Sequence, residues 1–129
     1  MKSFKDLEVW KLSIDFVEDV YKLTNAFPGN EKFGLVPQMR RAAVSISSNI
    51  AEGQGRKNSK EFIQFLYIAK GSLAEIETQL IICERLGYTS NLIELTEKMK
   101  RIRMMIVGLI NALYNQSGQQ PHNPKPIKP

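Results

Sequence analysis

The sequence predicts an all-α protein, an antiparallel up-down four-helix bundle over residues 1–116, and three observations carry that expectation. Four separate segments repeat apolar residues at steps of three and four, the spacing that gathers side chains on one face of a helix. The connections between them are short and hold Gly, Pro or Asn, and no segment alternates with the period of two that marks a strand. Apolar-striped helices with short links pack as antiparallel neighbours around one core.

The first helix is expected from Leu7 to about Ala26, where Leu7, Trp10, Ile14, Val17 and Tyr21 form one stripe and Val9, Phe16, Val20 and Leu23 a second. Two stripes imply cover on two sides. The run "FPGN" ends it, since Pro28 cannot continue the hydrogen-bond ladder and Gly29 and Asn30 favour a turn. Pro37 suits the first turn of a second helix, in which Met39, Ala43, Ile46 and Ile50 lead to Gly53. Gly53 is expected to cap that helix in the left-handed region, and Asn58, three residues before Glu61, to cap the next. The third helix carries Phe62, Leu66, Ala69, Leu73, Ile76, Leu80 and Cys83 and ends near "LGYT", with Gly71 and Ser72 as a place of close helix approach. The fourth carries Leu92, Leu95, Met99, Ile102, Ile106, Leu109 and Leu113. The remainder, 117–129, is Pro-rich and is expected to be disordered or extended.

With 129 residues, 43% apolar and 24% charged, the chain has room for one domain with one core and holds no run long enough to span a membrane. The N-terminal "MKSFKDLEVWK" has no apolar signal core, so cytoplasmic residence is expected. Cys83 is the one cysteine, and it reads as a small buried apolar residue. Net charge is +5, but it is unevenly spread. Residues 1–37, 38–60, 61–97 and 98–129 carry −1, +4, −4 and +6, an alternation suited to an anionic partner or to charge-matched self-assembly.

The stretch "SISSNIAEGQGRKNSKEF" invites a phosphate-loop reading that fails on specifics. A Walker loop needs Gly-Lys-Ser/Thr after a strand and a dinucleotide fingerprint needs a third glycine; here a helix precedes and Gly53 and Gly55 stand alone. A different feature is left over. At about 100° per residue, Gln38, Arg41, Ser45, Asn49 and Glu52 share a narrow sector beside the apolar face of the second helix. Such a polar ladder either faces water or joins helices through hydrogen bonds that must all be satisfied.

The strings "FKDLEVWKLS", "VYKLTNAFP", "QMRRAAVSISSNIAEGQGR", "EFIQFLYIAKGSLAEIETQL" and "LGY" resemble the four-helix-bundle family of proteins encoded by intervening sequences inside bacterial 23S ribosomal RNA genes. The likeness runs from about Phe4 to Tyr114. It implies a bundle that assembles into rings, usually homopentamers, without a recognised catalytic centre. The chain is also similar to the accessory variability protein of diversity-generating retroelements, a basic pentamer that binds nucleic acid and a reverse transcriptase. Ser45, Asn49, Glu52, Gly53, Ser72 and Glu75 match family positions, and the resemblance implies structural roles for them.

Catalysis, a cofactor and a metal are not expected. His122, the one histidine, lies in the Pro-rich tail, and Glu-x-x-His pairs of the di-metal bundle type are missing. Nucleic-acid binding is expected from "GRKNSK" and "KMKRIR", which supply Arg56, Lys57, Lys60, Lys98, Lys100, Arg101 and Arg103 with no acidic residue inside either string. RNA or DNA would be held by its phosphates, without base readout. The alternative is an assembly or protein-binding module, a scaffold or an accessory to a nucleic-acid enzyme such as a reverse transcriptase. Its support is an apolar surplus: the second stripe of the first helix, and Met104, Met105, Val107, Ile110 and Tyr114 on the fourth.

Overall fold

The computed structural model describes residues 3–116, so the Pro-rich tail lies outside the described residues. Four helices form, α1 (Glu8–Asn25), α2 (Leu35–Gln54), α3 (Ser59–Arg85) and α4 (Ile93–Gln116), with short 3₁₀ turns at Phe4–Asp6 and Gly29–Glu31. Among the described residues there is no strand. Neighbours in the bundle are α1 with α2, α2 with α3, α3 with α4, and α4 with α1, and the α2–α3 pair packs most extensively. Sequential helices therefore run antiparallel around a square, as expected.

The core is built from the four stripes. Phe16 and Val20 of α1, Met39, Ile46 and Ile50 of α2, Leu66, Leu73, Ile76 and Leu80 of α3, and Ile102 and Ile106 of α4 are fully buried. Each such aliphatic or aromatic side chain contributes about 1.5–3 kcal/mol by leaving water. On α1 the two stripes divide the work: Val9, Phe16 and Val20 enter the core, while Trp10 and Val17 lie at its margin and Tyr21 is exposed. Part of the supposed surplus on α4 is also core. Ile110 is buried and Met105 and Tyr114 are half-buried, whereas Met104 and Val107 remain exposed.

The α2–α3 turn differs from expectation. The second helix does not stop at Gly53 but runs to Gln54, and its cap is Gly55 at φ −77°. No left-handed residue is needed there. Gly53 is instead buried inside the helix where a Cβ would come within 2.7 Å of Phe65 Cβ and 2.8 Å of Phe62 Cδ1. Its lack of a side chain sets how closely α2 and α3 approach. Of the expected close-approach pair, Ser72 does meet α2, its Oγ 2.8 Å from Ser45 Oγ, whereas Gly71 is open to solvent and a Cβ there would touch nothing. Asn58 caps α3 as expected, its Oδ1 accepting the Glu61 N–H at 2.9 Å. The left-handed cap falls at the other end of α3, at Gly87 with φ +79°.

Two ends of the bundle follow from this topology. The hairpin end carries the α2–α3 turn and the start of α1. The loop end carries the α1–α2 and α3–α4 connections, which are tied together: Tyr88 Oη donates to Glu31 Oε2 at 2.7 Å, and its ring packs on Phe27 with centroids 5.5 Å apart.

Candidate nucleic-acid interface

The seven expected basic residues separate into two groups. Arg56, Lys57 and Lys60 sit at the hairpin end, because the four-residue link after Gln54 and the first turn of α3 are there. Lys98, Lys100, Arg101 and Arg103 occupy the lower half of α4, at the level of Asp19 and Glu77, with which Lys98 and Arg103 pair. From Lys60 to Glu77 is 17 residues of α3, or about 25 Å at ~1.5 Å per residue. The two groups do not form one patch.

Three of the seven have internal partners. Arg56 reaches Glu52 at 3.4 Å and its guanidinium lies 4.7 Å from the centroid of the Phe65 ring. Lys98 bonds Asp19 of α1, and Arg103 bonds Glu77 of α3, so these two brace α4 on both flanks. Lys57, Lys60, Lys100 and Arg101 are exposed and make no ion pair or hydrogen bond among the described residues. Successive residues of α4 point about 100° apart, which is why the cluster spreads round the helix.

The polar ladder of α2 also divides. Its centre is a join to α3: Ser45 Oγ lies 2.8 Å from Ser72 Oγ, and Asn49 Nδ2 donates to Ser45 O at 2.7 Å and Ser45 Oγ at 3.0 Å. Its outer members, Gln38, Arg41 and Glu52, are exposed. Glu52 turns to Arg56, and Glu75 accepts from Gln79 Nε2 at 3.2 Å, so neither carboxylate holds Arg41. Gln79, itself buried, has no partner for Oε1 among the described residues.

Sequence reasoning passed over the neighbouring Arg40. Its guanidinium stacks 4.4 Å from the Tyr21 ring centroid, and it donates to Thr24 Oγ1 at 2.9 Å and Asn25 Oδ1 at 2.8 Å. Arg40 thus pins α2 to the end of α1, and no helical period distinguishes it from Arg41. Also unforeseen are two exposed apolar side chains at the loop end, Phe33 at 89% and Ile93 at 70%.

Cys83 is fully buried against Met39, its thiol pushed up by burial and then by the nearby Glu31 charge. A raised pKa keeps it a thiol, a poor nucleophile. Among the described residues no group of His, Cys, Asp and Glu could hold a metal ion, and no helix is long and apolar enough to cross a membrane.

The bundle is similar to a crystal structure of a protein of unknown function from the S23 ribosomal protein family of Bacteroides thetaiotaomicron. The two share 24% identity at a TM-score of 0.57, over 84% of this chain and 96% of that one. This likeness supports the fold. Among curated proteins, none matches the chain significantly. A family model described as 23S rRNA-intervening sequence protein matches residues 5–108, which span α1, α2, α3 and most of α4, and the chain belongs to that family.

Proposed function

We propose that the protein is a non-enzymatic, self-associating helical bundle that binds RNA or DNA through backbone phosphates. The observation that carries this reading is the set of four cations, Lys57, Lys60, Lys100 and Arg101, left exposed and unpaired among the described residues while the other three pair with carboxylates. A cation already neutralised by a carboxylate has little attraction left for phosphate; these four retain theirs. Two groups about 25 Å apart suit a long anionic polymer better than a small phosphate ligand. Self-association into a ring, with a pentamer as the expected size, would multiply weak contacts by raising the effective concentration of sites.

A titration of single-stranded RNA and DNA against salt tests the reading. Affinity should fall steeply as salt rises, and K57A/K60A should lower both affinity and salt slope for all sequences alike. Absence of binding at low salt would defeat it. The assembly-only reading, with a reverse transcriptase or another nucleic-acid enzyme as partner, draws on the exposed apolar side chains Phe33, Ile68, Ile82, Leu86 and Ile93. On that reading association with the partner hardly responds to salt.

A further inference from the structure

Two clefts at the loop end have opposite charge. The first, about 500 Å³ on the α1–α2 side, is formed by Lys32, Arg40, Arg41 and Tyr21 with apolar Val36 and Val44, and no carboxylate lines it. The second, about 530 Å³ on the α3–α4 side, is formed by Glu77, Glu84 and Glu97 with Leu80, Ile81 and Ile93, and no cation lines it. A third cleft, about 800 Å³ between α1 and α4, has no such polarity: Asp19, Glu94 and Glu97 share it with Lys22, Lys98 and Arg101.

Internal pairing sharpens the contrast. In the basic cleft Arg40 is committed to Tyr21, Thr24 and Asn25, leaving Lys32 and Arg41 available. In the acidic cleft Glu77 is committed to Arg103, leaving Glu84 and Glu97. Each cleft also has exposed apolar side chains in or beside it, Phe33 next to Lys32 on one side, Ile81 and Ile93 on the other. Because α1–α2 and α3–α4 are opposite sides of the square, and both clefts lie at the loop end, they are presented at one level, facing away from each other.

We propose that the basic cleft of one copy receives the acidic cleft of a second copy, with Lys32 and Arg41 against Glu84 and Glu97 around an apolar contact of Phe33, Ile81 and Ile93. The occupant is a second copy because the same chain supplies both halves: opposite charge, equal height, and exposed apolar side chains on each side. Nucleic acid fits the first cleft alone and is repelled by the second. The contact joins two different faces, so each copy keeps one face of each kind free for the next, and the assembly closes as a ring or continues as a filament. This inference rests on the self-association proposed above and names its faces.

The test is charge reversal read by light scattering, with circular dichroism to confirm that each variant folds. Arg41 and Glu84 are exposed, so reversal leaves the core intact. R41E alone and E84K alone should each weaken self-association about 10- to 100-fold, because like charges then face each other. The double variant R41E/E84K, in which every contact again joins opposite charges, should recover most of it. F33S should weaken association without changing its salt dependence. A wild-type oligomer whose size and affinity survive both single reversals leaves self-association standing and overturns these faces. A wild type that is monomeric at micromolar concentration overturns both. If R41E abolishes RNA binding while the oligomer is unchanged, the basic cleft is a nucleic-acid site and the paired-face proposal fails.

Discussion

Tyr88, just after α3, and Glu31, just before α2, are joined by a hydrogen bond of 2.7 Å across 57 residues of sequence. The other oxygen of the same carboxylate accepts the Leu35 N–H at 3.2 Å, in the first turn of α2. One side chain thereby supplies a helix cap and a tie between two loops. Tyr88 has its pKa raised by that hydrogen bond first, then by burial and by the Glu31 and Cys83 charges.

This gives a pH dependence with a definite sign. The native state holds the phenol proton to higher pH than the unfolded chain, whose tyrosine titrates near pH ~10. Stability from the tie is complete below that pH and is lost as pH rises through the native value. Tyr88→Phe should lower the melting temperature at neutral pH and flatten the fall above pH ~10, relative to wild type. Tyr67, raised by burial and by its hydrogen bond with Tyr114, keeps a residual alkaline slope in that variant.

Gly53→Ala should destabilise the bundle by about 1–3 kcal/mol, because overpacking a tight contact displaces its neighbours. The new Cβ meets Phe65 Cβ at 2.7 Å, which cannot swing aside without moving α3. Urea denaturation reads the loss. Gly71→Ala, with nothing near its Cβ, should leave stability equal or raise it by about 0.5–1 kcal/mol through helix propensity.

Asn49→Ala should cost about 1 kcal/mol, since Ser45 loses its amide partner at the join to Ser72. Glu52→Ala, which removes an exposed pair to Arg56, should stay within about 0.5 kcal/mol. Equal effects of the two would show that the ladder acts as one unit, contrary to the division described.

Arg40→Ala should cost about 1–3 kcal/mol through the lost stack on Tyr21 and the lost bonds to Thr24 and Asn25. Arg40→Lys should recover only part, because an ammonium lacks the planar fork that does both. Arg41→Ala should leave the thermal stability of the single bundle nearly unchanged at concentrations too low for self-association. Thermal unfolding of the three variants separates them.

The helices were legible because their apolar spacing is a local signal that burial simply amplifies: Leu66, Leu73 and Leu80 recur on α3 and all three are buried. The stop at Gly53 was misread because glycine serves two purposes, a left-handed cap and a missing side chain at a contact, and only the position of Phe62 and Phe65 decides between them. Charged residues were less legible still. Arg40 and Arg41, or Lys98 and Lys100, are chemically alike in sequence, and what separates bracing from exposed cations is a partner on another helix, Tyr21 or Asp19. The two clefts at the loop end could not be read at all, since each joins residues far apart in the chain.

The close α2–α3 contact at Gly53 also bears on the order in which the chain folds. These helices share the largest interface, and only four residues link them, so closing their loop costs little entropy. Contacts that are near in sequence and rich in buried area form early in small domains. The α2–α3 hairpin is therefore expected to be assembled in the transition state, with α1 and α4 docking afterwards. Truncation of Ile50 or Phe62 should then chiefly slow refolding, and truncation of Ile106 should chiefly speed unfolding in a denaturant chevron. During synthesis the two central helices would find each other before α4 has left the ribosome, and the half-built hairpin would expose the stripe that α4 later covers.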